Sequence, residues 1–275
     1  MKHFLIYTNQ MKDKEYQITG EVKRLLEEKG QQVTLFSELK SGEIPVHMDA
    51  MLVLGGDGTV LQAVRETKTE PIPLIGINLG TLGFLAQIEP AGIEEALDRL
   101  IAGDYTREER MMLQGQAVFA DGSVREGFAL NDIVITRNGP LQMLKLNIYV
   151  NGRFLHQYQA DGVIVTTPTG STGYSLSAGG PLIAPGAKLL MLTPICPHTL
   201  NQRSIIFSSE DVIEIEIPEG RDGQMQRVSA SFDGVTSAYI TTGERIRIRK
   251  SEQCAEFILM NQESFLDVLN RKMSE

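Results

Sequence analysis

The sequence predicts two domains of different class. The first is an N-terminal α/β domain with a mostly parallel sheet, and the second a C-terminal antiparallel β-sandwich domain. A C-terminal helix returns to the first. Three observations predict this. Strand and helix signals alternate over the first ~110 residues, which implies an open sheet covered by helices. Past residue 112 the pattern changes to period-two alternation punctuated by hairpin turns. The last residues revert to helical spacing, and a short helix has no place inside a sandwich. The expected domains are 1–111 joined by 254–275, and 112–253. A chain of 275 residues accommodates either one large domain or two modest ones, each with its own core.

In the first domain, residues 4–7 are an apolar run that reads as a strand. Ile18, Val22, Leu25 and Leu26 share one helical face, and Gly30 stands where that helix stops. Residues 33–36 and 73–77 read as further strands, and residues 51–54 as a compact one that ends abruptly in glycines. Ile93, Ala96, Leu97, Leu100 and Ile101 recur at helical spacing before Gly103. In the second domain, Asp121-Gly122 between Val118 and Val124 signals a hairpin. Leu144, Leu146, Ile148 and Val150 alternate with polar or amphipathic residues, and Asn151-Gly152 then turns the chain into residues 153–158, a strong hairpin signal because both turn positions need positive φ. Glu214 and Glu216 share one face of residues 212–217, while Arg245, Arg247 and Arg249 alternate with Ile246 and Ile248, so the two strands carry opposite charges and could pair. Ser264 and Asp267 make a capping-box-like start for the final helix, with Phe265, Leu266, Val268 and Leu269 following.

Composition excludes several function classes. The chain has 26 Lys and Arg against 35 Asp and Glu, a formal charge of −9, and an acidic chain is a poor binder of nucleic acid or anionic membrane. Two cysteines, Cys196 and Cys254, make no disulfide scaffold and fit a reducing cytoplasm. Residues 1–7 lack the features of a signal peptide, and no stretch approaches the ~18 apolar residues of a membrane span. The four histidines form no metal-binding pair. Glycine is in excess at 26 residues, and twelve of these fall within residues 55–83 and 162–186, where ordinary composition gives about four.

The first glycine cluster is Gly55-Gly56-Asp57-Gly58-Thr59, between the strand at 51–54 and a helical pattern of Val60, Leu61 and Val64. Glycines let backbone N–H groups approach a ligand, and the following helix start adds donors and a positive dipole end, so the segment reads as a phosphate cradle. A carboxylate there repels phosphate, which leaves Asp57 as a Mg²⁺ ligand, a base for a hydroxyl, or a helix cap. The spacing matches neither GxGxxG nor GxxxxGK[ST]. A second stretch runs from Asp161 through a short apolar strand at 163–165 into Thr169-Gly170-Ser171-Thr172-Gly173-Tyr174-Ser175-Leu176-Ser177. Its hydroxyls and bare backbone can bond a base edge or ribose, and Tyr174 can stack on a ring; the alternative is a plain polar loop. Asn131-Asp132 and Asp233-Gly234 taken alone are turns, Asn78 in Gly76-Ile77-Asn78-Leu79-Gly80 is either a turn or a site residue, and His198 reads as structural.

Taken in order, Gly55-Gly56-Asp57-Gly58-Thr59, Asn131-Asp132 and the run from Thr167 to Pro181 closely resemble the bacterial NAD kinases, and the resemblance extends over nearly the whole chain, including Pro197-His198-Thr199-Leu200. The glycine-aspartate loop alone is shared with diacylglycerol kinases and phosphofructokinases. The resemblance implies ATP- and Mg²⁺-dependent phosphorylation of the adenosine-ribose 2′-hydroxyl of NAD in a cleft between the domains, by a cytoplasmic homodimer or homotetramer. It implies that Asp57 accepts the hydroxyl proton and that Gly56, Gly58 and Thr59 line the phosphates. Asn131 and Asp132 would hold NAD, and Asp161 and residues 172–177 would surround its two ends; Phe84, Gln159, Thr169 and Asp233 complete the expected nucleotide-binding set. Three positions depart from the family: Gln159 stands where many members have Arg, Gly173 where Ala is frequent, and Val235 where Gln is common. The rival readings are a lipid or sugar kinase with the same glycine-aspartate loop, and a dinucleotide-binding sensor without catalysis.

Overall fold

A computed structural model describes residues 1–39, 44–45, 47–67, 71–81, 83–139, 143–198, 203–260 and 265–274. The expectations at Ser264 and at Thr199-Leu200 fall outside these. The chain divides into two compact units, Met1–Arg110 with Ala255–Glu275, and Met111–Cys254.

The first unit is built on four parallel strands, β1 (His3–Thr8), β2 (Gln32–Leu35), β3 (Ala50–Gly55) and β4 (Leu74–Asn78), in the order β2-β1-β3-β4. The expected strand at 33–36 starts one residue earlier and gives way at Phe36 to a short 3₁₀ turn, Phe36–Glu38. α1 (Gln17–Glu28) and α3 (Ile93–Ala102) bury Val22, Leu25, Leu26, Ile93, Leu97 and Leu100 against Phe4, Ile6, Leu52, Leu54, Ile75 and Ile77. These sheet residues alternate along each strand and therefore share one face. α2 (Asp57–Glu66) takes the other face, where Tyr7 of β1 donates a hydrogen bond to Glu66 at 2.9 Å. Burial on both faces explains why β3 reads as an unbroken apolar run rather than an alternating one. α5 (Phe265–Ser274) belongs to this unit, with Val268 fully buried.

Numbered along the chain, the strands that follow β4 are β5 (Thr106–Val118), β6 (Val124–Ala129), β7 (Asp132–Arg137), β8 (Leu144–Val150), β9 (Arg153–Ala160), β10 (Gly162–Thr166), β11 (Leu189–Ile195), β12 (Ile205–Ser208), β13 (Ile213–Glu216), β14 (Arg227–Phe232), β15 (Val235–Thr241) and β16 (Arg245–Leu259). The second unit faces one antiparallel sheet, in the order β12-β11-β10-β7-β14-β15, against another in which β9, β8, β13 and β16 run in turn. β5 and β6 form an antiparallel hairpin. Inward residues of both sheets, among them Ile133, Ile135, Val163, Val165, Leu146, Ile148, Ile215 and Ile248, make one core. Asn151 (φ 51°) and Gly152 (φ 74°) form the tight turn between β8 and β9. Glu214 pairs in register with Arg247 and Glu216 with Arg245, so the opposed charges of the two strands do meet. The end of β16 lies in the first unit, where Phe257 pairs in parallel with Leu74 of β4.

Candidate active site

In the first unit, β3 runs straight into the glycine loop. Gly56 is the residue before α2, in extended conformation, and Asp57 opens the helix. Asp57 does not cap its own helix. Its carboxylate reaches across to another loop and accepts three backbone N–H groups, from Phe84 at 2.8 Å, Leu85 at 2.9 Å and Ala86 at 3.2 Å. The carboxylate lies so close to the next loop that a Cβ on Gly83 would overlap Asp57 Oδ1, which is why residue 83 is glycine. An ionised carboxylate offers about four acceptor positions, so about one remains for a further donor.

The other residues of this loop divide between framework and open surface. Thr59 is buried, and its hydroxyl accepts from Gly56 N–H at 3.3 Å and from Asn9 Nδ2 at 3.2 Å. Thr59 therefore shapes the loop with its side chain instead of presenting it. Gly58 is exposed. Over Gly56 lies an ammonium that sequence reasoning did not single out, Lys12 Nζ, 2.6 Å from where a Cβ on Gly56 would be. Phe84, expected to face the nucleotide, turns its ring to α5, with Phe265 at 5.9 Å between centroids and Lys272 Nζ at 5.4 Å. Asn78 ends β4 and its side chain shapes the turn that follows: it donates to Gly80 O at 2.9 Å and accepts from Gly80 N–H at 3.1 Å.

In the second unit a polar cluster forms where β7 begins and β10 ends. Asp233, in the β14–β15 turn with φ 45°, accepts from the backbone N–H groups of Leu130 at 2.8 Å, Asn131 at 2.8 Å and Asp132 at 3.2 Å. These three bonds fix Asn131-Asp132. Asp233 thus clamps the backbone of the expected ligand residues Asn131 and Asp132. Thr166 Oγ1 and Thr167 N–H both donate to Asn131 O, at 2.8 and 2.9 Å, and tie the start of β7 to the end of β10. Beyond β10 come a 3₁₀ turn, Thr169–Thr172, and the short helix α4 (Tyr174–Ser177). A Cβ on Gly173 would lie 3.5 Å from Asn131 Nδ2 and 3.9 Å from Asp132 Oδ2, so the turn, Asn131 and Asp132 adjoin. Thr172, whose hydroxyl donates to Thr169 O at 3.4 Å, lies in this turn, and Tyr174 and Ser177 are exposed just after it. Ser175 is different: it is fully buried and its hydroxyl bonds Thr193 Oγ1 at 3.1 Å, so it holds α4 to β11 and faces no open space.

Two electrostatic features mark this cluster. Asp132 is buried beside the Asp233 carboxylate, and burial first, then that neighbouring negative charge, pushes its pKa up to about 7. Asp161 forms an ion pair with Arg137 at 2.8 Å. Arg137 is a second residue missed from sequence, and it places a cation near Gln159, with which it lines a cavity of about 740 Å³ together with Lys145 and Arg227. Gln159, exposed at the end of β9, thus stands beside a cation supplied by another strand. Asn131 Oδ1 and Thr169 Oγ1 are buried without a hydrogen-bond partner. His198 bonds through its backbone to Gln159 O at 2.9 Å, and its ring is not called on by the cluster. Among the described residues no group of three or more His, Cys, Asp or Glu side chains could hold a metal ion.

Comparison with known proteins adds the following. The family profile described as the ATP-NAD kinase N-terminal domain matches residues 37–105, and that of the ATP-NAD kinase C-terminal domain matches residues 130–260. A protein named NAD kinase from Agathobacter rectalis is 43% identical over 99% of this chain and 99% of its own. The NAD kinases of Lachnospira eligens and Lachnoclostridium phytofermentans are 43% and 40% identical, over 99% and 100% of this chain and 100% of theirs. Among solved structures, an NAD kinase from Archaeoglobus fulgidus in complex with ATP superposes with a TM-score of 0.81 at 26% identity, covering 100% of both chains. Yeast NADH kinase complexed with NADH gives a TM-score of 0.90 at 24% identity, covering 100% of this chain and 88% of that one, a likeness of fold.

Proposed function

The chain belongs to the NAD kinase family, and from that premise we propose that it phosphorylates NAD to NADP, moving the γ-phosphoryl group of ATP·Mg²⁺ onto the 2′-hydroxyl of the adenosine ribose. The bond between that oxygen and phosphorus forms, the bond from phosphorus to the ADP oxygen breaks, and the hydroxyl proton goes to Asp57. Phosphoryl transfer asks the protein chiefly for positioning and charge neutralisation. In the first unit, the acceptor position left on Asp57 fits a single hydroxyl donor, and the backbone around Gly56 and Gly58 fits donor phosphates. Mg²⁺ enters as part of the nucleotide substrate, because it favours substrate phosphates with one or two carboxylates over an all-protein cage.

The observation that carries the reading lies in the second unit. Asn131 Oδ1 and Thr169 Oγ1 are buried without a hydrogen-bond partner, and Asn131 Nδ2 and Asp132 Oδ2 adjoin Gly173. An unmade hydrogen bond of this kind costs roughly 1–3 kcal/mol, and in this proposal a polar ligand seated on the cluster offsets that cost. In this proposal Asn131, Asp132, Thr169, Thr172, Gly173 and Ser177 surround NAD, Tyr174 stacks on one ring, and Asp161 with Arg137 and Gln159 stands at its far end. Asp233 and Ser175 support that cluster through the backbone and packing contacts described above, and Thr59 and Phe84 support the glycine loop of the first unit in the same way. No helix of the described residues is long and apolar enough to cross a membrane. On the family resemblance, and with two cysteines that suit a reducing compartment, we propose a cytoplasmic homo-oligomer. The test is incubation with NAD, ATP and Mg²⁺ followed by an NADP-specific dehydrogenase. NADP formed at enzymatic rates is the expected result; dinucleotide binding without NADP would replace the kinase by a sensor.

A further inference from the structure

We infer that Lys12 is a catalytic residue of this kinase, its ammonium contacting the phosphates of the donor nucleotide over the glycine loop; the inference rests on the kinase reading above. Lys12 lies in the turn after β1, and that turn is fixed from several sides. Lys12 N–H and Asp13 N–H both donate to Asn9 O, at 2.9 and 3.0 Å, and Met11 N–H donates to Asn9 Oδ1 at 3.0 Å. Asn9 in turn donates through its backbone to Leu54 O at 2.9 Å and through Nδ2 to Thr59 Oγ1 at 3.2 Å. The turn is therefore bonded to the last residues of β3 and the first turn of α2, the two elements that make the glycine loop.

From this base the side chain reaches back over the loop. A Cβ on Gly56 would lie 2.6 Å from Lys12 Nζ, and one on Gly80 would lie 3.5 Å from it. The ammonium thus lies on the side where a side chain would project from two glycines of different loops, a position that any side chain at residue 56 would close.

Among the described residues Lys12 makes no ion pair. The adjacent Asp13 is buried, and its carboxylate is committed to Ile18 N–H, Thr19 N–H and Thr19 Oγ1 at 3.0, 2.8 and 2.6 Å. Asp57 accepts three bonds from the backbone N–H groups of residues 84–86. An exposed lysine ordinarily extends into water or pairs with a carboxylate; an ammonium held instead at the lip of a loop of bare amides suits an anion that arrives with the substrate. A compact lysine charge suits a tetrahedral phosphate group, which needs no bidentate geometry. During transfer it would offset negative charge on the phosphoryl oxygens and on the departing ADP oxygen, without gaining or losing a proton itself.

The experiment compares the full-length wild type with Lys12→Met, Lys12→Arg and, as a control on a neighbouring exposed lysine outside the loop, Lys14→Met. Steady-state kinetics with ATP and NAD are joined to calorimetric titration with ATP·Mg²⁺, and thermal melting confirms that each variant folds. Lys12→Met is expected to lose on the order of 10²-fold in kcat/KM for ATP, the usual cost of one charge-stabilising contact. Lys12→Arg should recover most of that loss, KM for NAD should stay unchanged, and Lys14→Met should match wild type. A Lys12→Met enzyme within about threefold of wild type in kcat/KM for ATP, well short of the expected loss, overturns the inference and leaves the kinase reading standing. If the wild type forms no NADP, that reading has failed, and the titration still decides the contact: weaker ATP·Mg²⁺ binding in Lys12→Met supports it, and equal binding overturns it.

Discussion

Replacing Asp57 by Asn tests both jobs of this carboxylate at once. Its two oxygens accept from Phe84, Leu85 and Ala86 N–H. Asparagine keeps one acceptor oxygen and puts an amide donor in place of the other. The best orientation directs the remaining oxygen at Leu85 and Ala86, which share Oδ1, and sets the NH₂ group against Phe84 N–H. One charge-assisted bond is lost and two donors face each other. Hydrogen bonds to charged groups contribute about 1.5–3 kcal/mol, and Asp57 is only half-buried, so a destabilisation of about 2 kcal/mol is expected at the low side of that range. For a unit of this size this lowers Tm by roughly 5–10 °C. Turnover should fall by at least ~100-fold because asparagine cannot accept the hydroxyl proton. The assays are thermal unfolding and steady-state NADP formation at a temperature well below both transitions. Near-normal kcat would refute the base role, and an unchanged Tm would refute the structural one; the two outcomes are independent.

Three further predictions concern the second unit. Tyr174→Ala should weaken NAD binding by about 1–2 kcal/mol, the worth of an aromatic contact, and calorimetry showing equal affinity would remove Tyr174 as a stacking platform. Asp233→Gly keeps a residue that tolerates φ 45° but deletes the three bonds to residues 130–132; NAD affinity should drop on the order of tenfold, one lost charge-assisted bond in effect, with KM for ATP unmoved, and a rise in both constants would argue for general disruption instead. Asp132 has a pKa raised to about 7 by burial and the Asp233 charge. A raised carboxyl pKa means the folded state holds the proton longer than the unfolded chain, so stability is full below about pH 4 and declines as pH rises toward 7. Asp132→Asn removes that penalty and should be more stable than wild type at pH 8 by a few kcal/mol, with the difference shrinking toward pH 4; a difference constant with pH would contradict the buried-acid account.

How far the site was legible in the sequence depended on how local its signals are. Asn151-Gly152 announced its turn because two neighbouring positive φ values need those residues. The strand at 213–216 met the arginines of β16 in register because side chains alternate strictly along each strand. Gly55-Gly56-Asp57 announced a loop at a helix start for similar local reasons. Less legible is what the expected ligand residues touch: the Thr59 hydroxyl accepts from Gly56 and Asn9, and the ring of Phe84, on the neighbouring loop, lies against α5. Ser175 sits in the most polar stretch of the chain but points to Thr193, because the direction of a side chain at the start of a short helix is set by what packs behind it.

Asp233 shows most clearly where sequence reasoning stops. As Asp-Gly it is a turn, and the turn is there. Its second role exists because β14 pairs with β7, Phe232 opposite Ile133, which brings residue 233 against residues 130–132. Lys12 and Arg137 belong to the same class, since neither is marked by its neighbours in the chain.

The sequence by itself determined the two domain classes, the turns and the polar segments, since each follows from the φ/ψ needs and burial period of consecutive residues. Only the tertiary structure decided which carboxylates hold backbone and which face open space, which cation lies over the glycine loop, and which hydroxyls were already taken. Those properties depend on partners far along the chain, and a side chain's free donors and acceptors are known only once its distant neighbours have claimed theirs.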